Sequence, residues 1–156
     1  MGKMRMMLSC GLLCITVLLV LVISIHAGEK NAGNTIADYK AFTQKNISEI
    51  RLREAGDSII CVAFSDADLI NMWTSYLNAA DFKYVKKEDF SRFNGGMKTI
   101  DLFSGTDKIS FQTYSEGETT YIVIKNFVFA ANHPTSLPYD KSYSIATQRG
   151  YIQPTV

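Results

Sequence analysis

The stretch IICVAFSDADLINMWTSYLNAADFKYV, residues 59–85, decides the fold class of this chain. Residues 59–64 form a short apolar run of the kind found in buried strands. Apolar side chains then recur at helical spacing and predict an amphipathic helix over residues 66–80. These side chains are Leu69, Met72, Trp73, Tyr76 and Ala80. Phe82 opens a second strand-like run, so the passage predicts a strand, a helix and a strand, with Trp73 in the core.

The start of this helix carries a clear local signal. Ser65 lies three residues before Asp68, a spacing close to that of a capping box. Asp66 and Asp68 also place two negative charges in the first turn, where the helix dipole favours them. We therefore expect both carboxylates to serve the helix terminus.

Upstream of this passage, the sequence predicts one helix and one hairpin. The helix is expected over residues 35–45, with Asn34 as its N-cap. Residues 49–53 alternate polar and apolar, as in a strand that faces water on one side. Turn-forming residues 55–58 join this strand to residues 59–64, and a hairpin is the simplest pairing of the two.

Downstream, three strand-like stretches complete the predicted domain. They are residues 97–103, 108–114 and 119–129, and the last is apolar on both faces, as in a strand at the middle of a sheet or at an interface. We therefore predict a single α+β domain over residues 35–130. It has a mostly antiparallel sheet of about four to six strands with two packed helices.

Two segments flank the predicted domain. Residues 28–34, rich in Gly and Asn, are expected to form a flexible spacer. Residues 131–156 contain every proline of the chain, and we predict an irregular tail that either covers a sheet edge or serves as a recognition segment. Loops carry function more often than framework does, so the candidate binding residues are His133, Tyr139 and Tyr143.

The N-terminus carries an export address. Lys3 and Arg5 precede an uncharged apolar run, residues 6–25, and the small residue Ala27 follows. This pattern predicts that residues 1–27 are either a cleaved signal peptide or a retained membrane anchor. In both cases we expect an exported domain, periplasmic or extracellular, and residues 6–25 provide membrane contact if they are retained.

Composition excludes several classes of protein. The chain has 16 Lys and Arg against 15 Asp and Glu, two of the basic residues lie in the leader, and the remainder therefore has a net charge of −1. Such a domain lacks the basic surface that nucleic-acid binding needs. Cys61 and His133 are the only cysteine and histidine beyond the leader, so neither a disulfide framework nor a closed zinc site is expected. The sequence holds no cofactor motif and no activated nucleophile.

An exported domain without catalytic, metal or cofactor motifs is typical of a non-enzymatic protein-binding module. We expect its partner to be another envelope or extracellular protein. The role would then be that of an envelope accessory factor, an inhibitor or an immunity-type protein.

Two other functions remain open. Residues 59–85 resemble one strand–helix–strand half of the peptidoglycan-binding SPOR repeat, which implies a glycan- or peptidoglycan-binding domain. Tyrosines in an irregular tail also suit such a surface. The third hypothesis is a carboxylate-dependent hydrolase that uses acids of the sheet region, such as Asp101 and Glu118.

Overall fold

The computed structural model describes residues 2–54, 60–87, 97–132 and 136–154, with side chains from residue 17 onward except at 60, 86, 87 and 152–154. The chain divides into two compact units, Met1–Asn34 and Thr35–Val156. In the first unit, the large apolar side chains from Val17 to Ile23, and that of Ile25, are exposed. Within the residues described, no helix is both long and apolar enough to cross a membrane.

The first helix, α1 (Gly2–Thr43), differs from the prediction at residues 28–34. The prediction of a flexible spacer at residues 28–34 is wrong, because this segment is helical. Asn34 is therefore not an N-cap. A glycine in a helix costs only about 1 kcal/mol, and extending an existing helix is far cheaper than nucleating one. The helix predicted over residues 35–45 is present and ends at Thr43.

The second unit contains an α+β fold, as predicted. After α1 come β1 (Glu49–Glu54), β2 (Ile60–Phe64), α2 (Ala67–Ala79), β3 (Asp81–Lys87), β4 (Lys98–Ser104), β5 (Asp107–Glu116), β6 (Thr119–Ile124), β7 (Phe127–Asn132), α3 (Tyr139–Gln148) and β8 (Ile152–Pro154). The strands form one sheet in the order β3-β7-β6-β5-β4-β1-β2-β8. Every pairing between described strands is antiparallel.

The sheet has eight strands in the described parts of the chain, so four to six was too few. One reason lies in residues 119–129, predicted as a single strand, which fold as the hairpin β6–β7. Lys125 takes a left-handed backbone conformation with φ 56°, which a tight two-residue hairpin turn requires. The Lys125-Asn126 pair lacks the glycine that normally signals such a turn, and the sequence therefore hides it.

The prediction of an irregular tail is wrong over much of residues 131–156. It forms the third described helix, α3, and the strand β8, which pairs with the edge of β2. Pro138 stands at the N-cap of α3, and the fixed φ of proline suits a helix start. The buried side chains of α3 are Tyr139, Ser142 and Ala146, which lie on one helical face. The tail thus covers a sheet edge, one of its two predicted roles.

Asp66 and Asp68, at the start of α2, contact the tail. Asp66 is the N-cap residue, and its side chain makes no capping hydrogen bond to the start of α2 that the structure describes. Instead, Arg149 at the end of α3 donates to Asp66 at 2.8 Å and to Asp68 at 3.0 Å. The Tyr151 hydroxyl also reaches Asp66, at 3.3 Å. The two carboxylates therefore hold the tail, and Asp68 also lies in the first turn of α2, where the helix dipole favours a negative charge.

The helices pack against one face of the sheet, here called the inner face. Side chains alternate between the faces along each strand, and Phe111 of β5 points to the helical layer. Tyr39 of α1 packs edge-on against Phe111 with ring centroids 5.3 Å apart, and Trp73 of α2 does so at 6.4 Å. Trp73 is fully buried, as predicted, and its indole N–H donates to Ser142 of α3 at 2.9 Å.

The opposite, outer face is defined by the strand register. Arg53 of β1 pairs with Thr99 of β4, Thr99 with Gln112 of β5, and Gln112 with Val123 of β6. These four residues therefore form one row across four adjacent strands. A second row, two residues along, contains Arg51, Asp101 and Ser110, which also lie opposite one another in the register.

Candidate functional site

A groove of about 780 Å³, here called the α2 groove, lies between α2 and the segment that leads into α3. Helix α2 contributes Met72, Ser75, Tyr76 and Ala79, which share one face because they lie three or four residues apart. The other wall is formed by Ser136, Leu137, Pro138, Asp140 and Lys141. The groove thus combines apolar side chains from both walls with two exposed residues of opposite charge.

A smaller and more polar cavity, about 260 Å³, adjoins this groove and shares Ser136, Leu137 and Asp140 with it. Lys98 of β4 lines this cavity, pairs with Asp140, and lies over the Tyr139 ring with its Nζ 4.5 Å from the ring centroid. The side chain of Asp140 is 84% exposed. The Lys98–Asp140 pair therefore stands where the two cavities meet.

The three predicted binding residues have different positions. Tyr139 is buried and lines the smaller cavity. Tyr143 is half-buried and stacks on Tyr139 with ring centroids 5.9 Å apart. His133 lies outside the described residues. The structure therefore brings Tyr139 and Tyr143 together beside the groove, and Tyr139 contacts the cavity from the protein interior.

The tyrosines around the groove are held in their neutral form. Burial raises the pKa of Tyr139 well above its usual value, and the nearby charge of Glu54 raises it further. Burial likewise raises the pKa of Tyr76. The buried hydroxyl of Tyr139 has no hydrogen-bond partner within the described chain. These phenols therefore contribute apolar area and neutral hydroxyls.

The outer face carries a charged cluster centred on Asp101, whose side chain is only 4% exposed. Arg53 approaches it at 2.9 Å and Lys108 at 3.3 Å, and the Ser110 hydroxyl donates to it at 2.6 Å. Two cations thus share one carboxylate. The cluster has a local excess of positive charge, although the domain as a whole is nearly neutral.

A cavity of about 240 Å³, here called the outer-face cavity, lies beside this cluster. Its lining includes the row Arg53, Thr99, Gln112 and Val123, together with Ser110 and Lys125. The charged side chains among the described lining residues are both positive. Lys125 comes from the β6–β7 turn, and none of the described acids forms an ion pair with it.

The two acids named for the hydrolase hypothesis, Asp101 and Glu118, lie in different surroundings. Asp101 is occupied by two cations and a hydroxyl, whereas Glu118 is exposed and lies in the β5–β6 turn. Among the residues that the structure describes, no three His, Cys, Asp or Glu side chains come together in a way that could hold a metal ion. Cys61 is buried on β2, and burial raises the pKa of its thiol.

Sequence reasoning found the neighbourhood of the α2 groove but missed the outer-face cavity. The spacing of apolar residues places Met72 and Tyr76 in the apolar stripe of α2. No local sequence signal distinguishes a residue of a groove wall from one of the core. Arg53, Thr99 and Gln112 belong to three different strands, so only the sheet register brings them together. The alternation of residues 49–53, which places arginines on one face, was the one local signal.

Together, the fold and its cavities define a small α+β domain with an apolar groove on its helical side and a cationic cavity on the outer sheet face. No protein-family model matches the chain, and it matches neither a curated protein nor a solved structure.

Proposed function

We propose that this chain is a non-enzymatic binding module that docks another protein in the α2 groove. The observation that carries the proposal is the composition of the groove, in which Met72 and Tyr76 face Leu137 and Pro138. Methionine adapts its shape to different partners, and tyrosine is enriched in the energetic centres of interfaces. An apolar side chain of a partner would bury its surface between these two walls.

The edges of the sheet favour the groove over strand addition. Edge strand β3 has a register irregularity between Tyr84 and Lys86, and Lys83 is exposed on it. The opposite edge strand, β8, is only three residues long and ends with Pro154. Bulges, lysines, prolines and short edge strands all discourage pairing with another chain. A partner strand therefore has poor templates at both edges.

The charges beside the groove suit a protein partner. Asp140 and Lys141 are exposed neighbours of opposite sign, and Ser75 and Ser136 add hydroxyl groups. An apolar centre surrounded by polar and charged residues is the usual anatomy of a protein interface. The proposed partner thus presents an apolar anchor flanked by polar or charged groups.

The place of action follows from the N-terminal segment. Lys3 and Arg5 before an apolar run support export, and the exposed apolar side chains of residues 17–23 support contact with a membrane or with the export machinery. The proposed partner is therefore an envelope or extracellular protein. The module acts as an accessory factor, an inhibitor or an immunity-type protein.

The test is capture of the partner by the full chain and by two matched variants. Ala79→Glu puts a carboxylate on an exposed groove residue, whereas Ala67→Glu makes the same change at an exposed position at the start of α2, outside the groove. We expect one protein at near-equal stoichiometry with the wild type and Ala67→Glu, and about tenfold less with Ala79→Glu. A partner that ignores the Ala79 change, or no stoichiometric partner, contradicts the proposal.

A further inference from the structure

We infer that the outer-face cavity binds a phosphate group between Arg53 and Lys125. This site lies on the opposite side of the sheet from the helical layer, and the inference does not depend on the proposed function. It rests on the placement of donors in the cavity, on the charge balance around it, and on how the protein already uses those donors.

The cavity gathers hydrogen-bond donors from separate strands. Arg53, Thr99 and Gln112 lie in one cross-strand row, and Ser110 lies two residues from Gln112 on β5. Lys125 reaches the same cavity from the β6–β7 turn. The set comprises a guanidinium, an ammonium, the Thr99 hydroxyl and the Gln112 amide, all of which can donate, whereas the Ser110 hydroxyl already donates to Asp101. A phosphate, with more oxygens than a carboxylate, uses such a spread of donors better.

The charge balance favours an anion. Asp101 is the carboxylate beside Arg53, and Arg53 and Lys108 both pair with it, which leaves one positive charge in excess. Lys125 adds a second, because no ion pair joins it to the acids that the structure describes. A cavity lined by charges of one sign raises the local concentration of anions.

The guanidinium of Arg53 has N–H groups that do not bind Asp101 and can donate to another acceptor. Both of its hydrogen-bonding contacts to Asp101 come from Nη2, at 3.1 Å and 2.9 Å from the two carboxylate oxygens. Its Nε–H is buried without an acceptor among the residues that the structure describes. Asp101, which also accepts from Ser110, holds the guanidinium in place, so less side-chain freedom remains to be lost when an oxyanion binds.

The experiment measures phosphate binding to the full chain in detergent solution by isothermal titration calorimetry. Inorganic phosphate is the first probe, and Lys125→Asn is the main variant, because asparagine tolerates the left-handed conformation at this position. Lys83→Asn is the matched control, since Lys83 is an exposed lysine of β3 that does not line the cavity. Arg53→Lys keeps the charge beside Asp101 but removes the guanidinium fork.

We expect saturable phosphate binding that is about tenfold weaker in Lys125→Asn, weakened also in Arg53→Lys, and unchanged in Lys83→Asn. A second probe, glycerophosphoglycerol, distinguishes the source of the group. Tighter binding of this phosphodiester assigns the site to a polymer or lipid phosphate, and binding of inorganic phosphate alone assigns it to free phosphate. No saturable binding to the wild type, or equal losses in the Lys125 and Lys83 variants, would overturn the inference.

Discussion

The two faces of the sheet are buried by different means. On the inner face, Phe111 and Trp73 are almost completely buried among aromatic and aliphatic side chains. On the outer face, apolar side chains around Val123 are buried as well, but so is Asp101, a charged carboxylate that Arg53 and Lys108 hold. Apolar burial stabilises a fold in proportion to area, whereas a buried ion pair must first offset the desolvation of its charges. We therefore expect the aromatic packing of the inner face to supply more stability than the charged cluster, and the charged cluster to hold a specific arrangement of donors.

The largest effect is expected from Trp73→Ala on the inner face. This change removes the largest fully buried side chain, leaves a cavity against Phe111, and frees the Ser142 hydroxyl from its indole donor. Changes of this type cost about 3–5 kcal/mol. Urea unfolding of the full chain, followed by circular dichroism, measures the loss.

Trp73→Phe separates packing from hydrogen bonding at the same position. It keeps an aromatic ring against Phe111 but removes the 2.9 Å bond to Ser142. We expect a smaller loss, about 1–2 kcal/mol, from the missing hydrogen bond and the reduced volume. If both variants were as stable as the wild type, the inner face would not be the main source of stability.

An intermediate effect is expected from Asp101→Ala on the outer face. Removing this carboxylate leaves Arg53 and Lys108 without their shared partner, and loss of one member of a buried pair costs about 3–5 kcal/mol. Both cations are more than one-third exposed and can be rehydrated, so we expect about 2 kcal/mol. The measurement is urea unfolding followed by the fluorescence of Trp73.

Asp101→Asn is the matched control, because the amide oxygen still accepts from Ser110 and Arg53. We expect about half the loss of Asp101→Ala. The native emission of Trp73 should be unchanged in both variants, since Trp73 lies on the other side of the sheet. A loss larger than that of Trp73→Ala would reverse the comparison and make the charged cluster the main support of the fold.

The sequence predicted the inner face well because its signals are local. The spacing of apolar residues in α2 and the alternation in β1 each appear within a few residues, and both elements are present. The hairpin of β1 and β2 and the burial of Trp73 also follow from such patterns. The tail could have been predicted better, because Tyr139, Ser142 and Ala146 already have helical spacing.

The outer face could not be predicted in the same way. Arg53 and Asp101 are separated by 48 residues in the sequence, and neither residue alone indicates a buried ion pair. The β6–β7 turn also lacks glycine, so Lys125 could not be placed near Arg53 from its neighbours. Contacts that arise from sheet register need the order of the strands, and local patterns do not contain that order.

The smallest effect is expected where a charged pair is exposed. Arg149→Ala removes the bridge from the end of α3 to Asp66 and Asp68, whose side chains are 23% and 61% exposed. An exposed ion pair contributes little to stability, so we expect a change well below that of Asp101→Ala. Comparing the stability losses of Arg149→Ala and Asp101→Ala then shows how much the burial of an ion pair matters. Urea unfolding at neutral pH measures both losses.

The pH dependence of this pair has a defined sign. The hydrogen bond from Arg149 lowers the pKa of Asp68 in the folded chain, so its contribution is complete above the unfolded pKa, about 4. It is lost as the pH falls through the lowered folded pKa. The stability difference between wild type and Arg149→Ala should therefore be constant near neutrality and shrink below about pH 4. Gln148→Ala, a neutral change in the same turn of α3, should give a difference that does not vary with pH. A difference for Arg149→Ala that persists in acid would mean that this side chain stabilises the tail by packing rather than by charge.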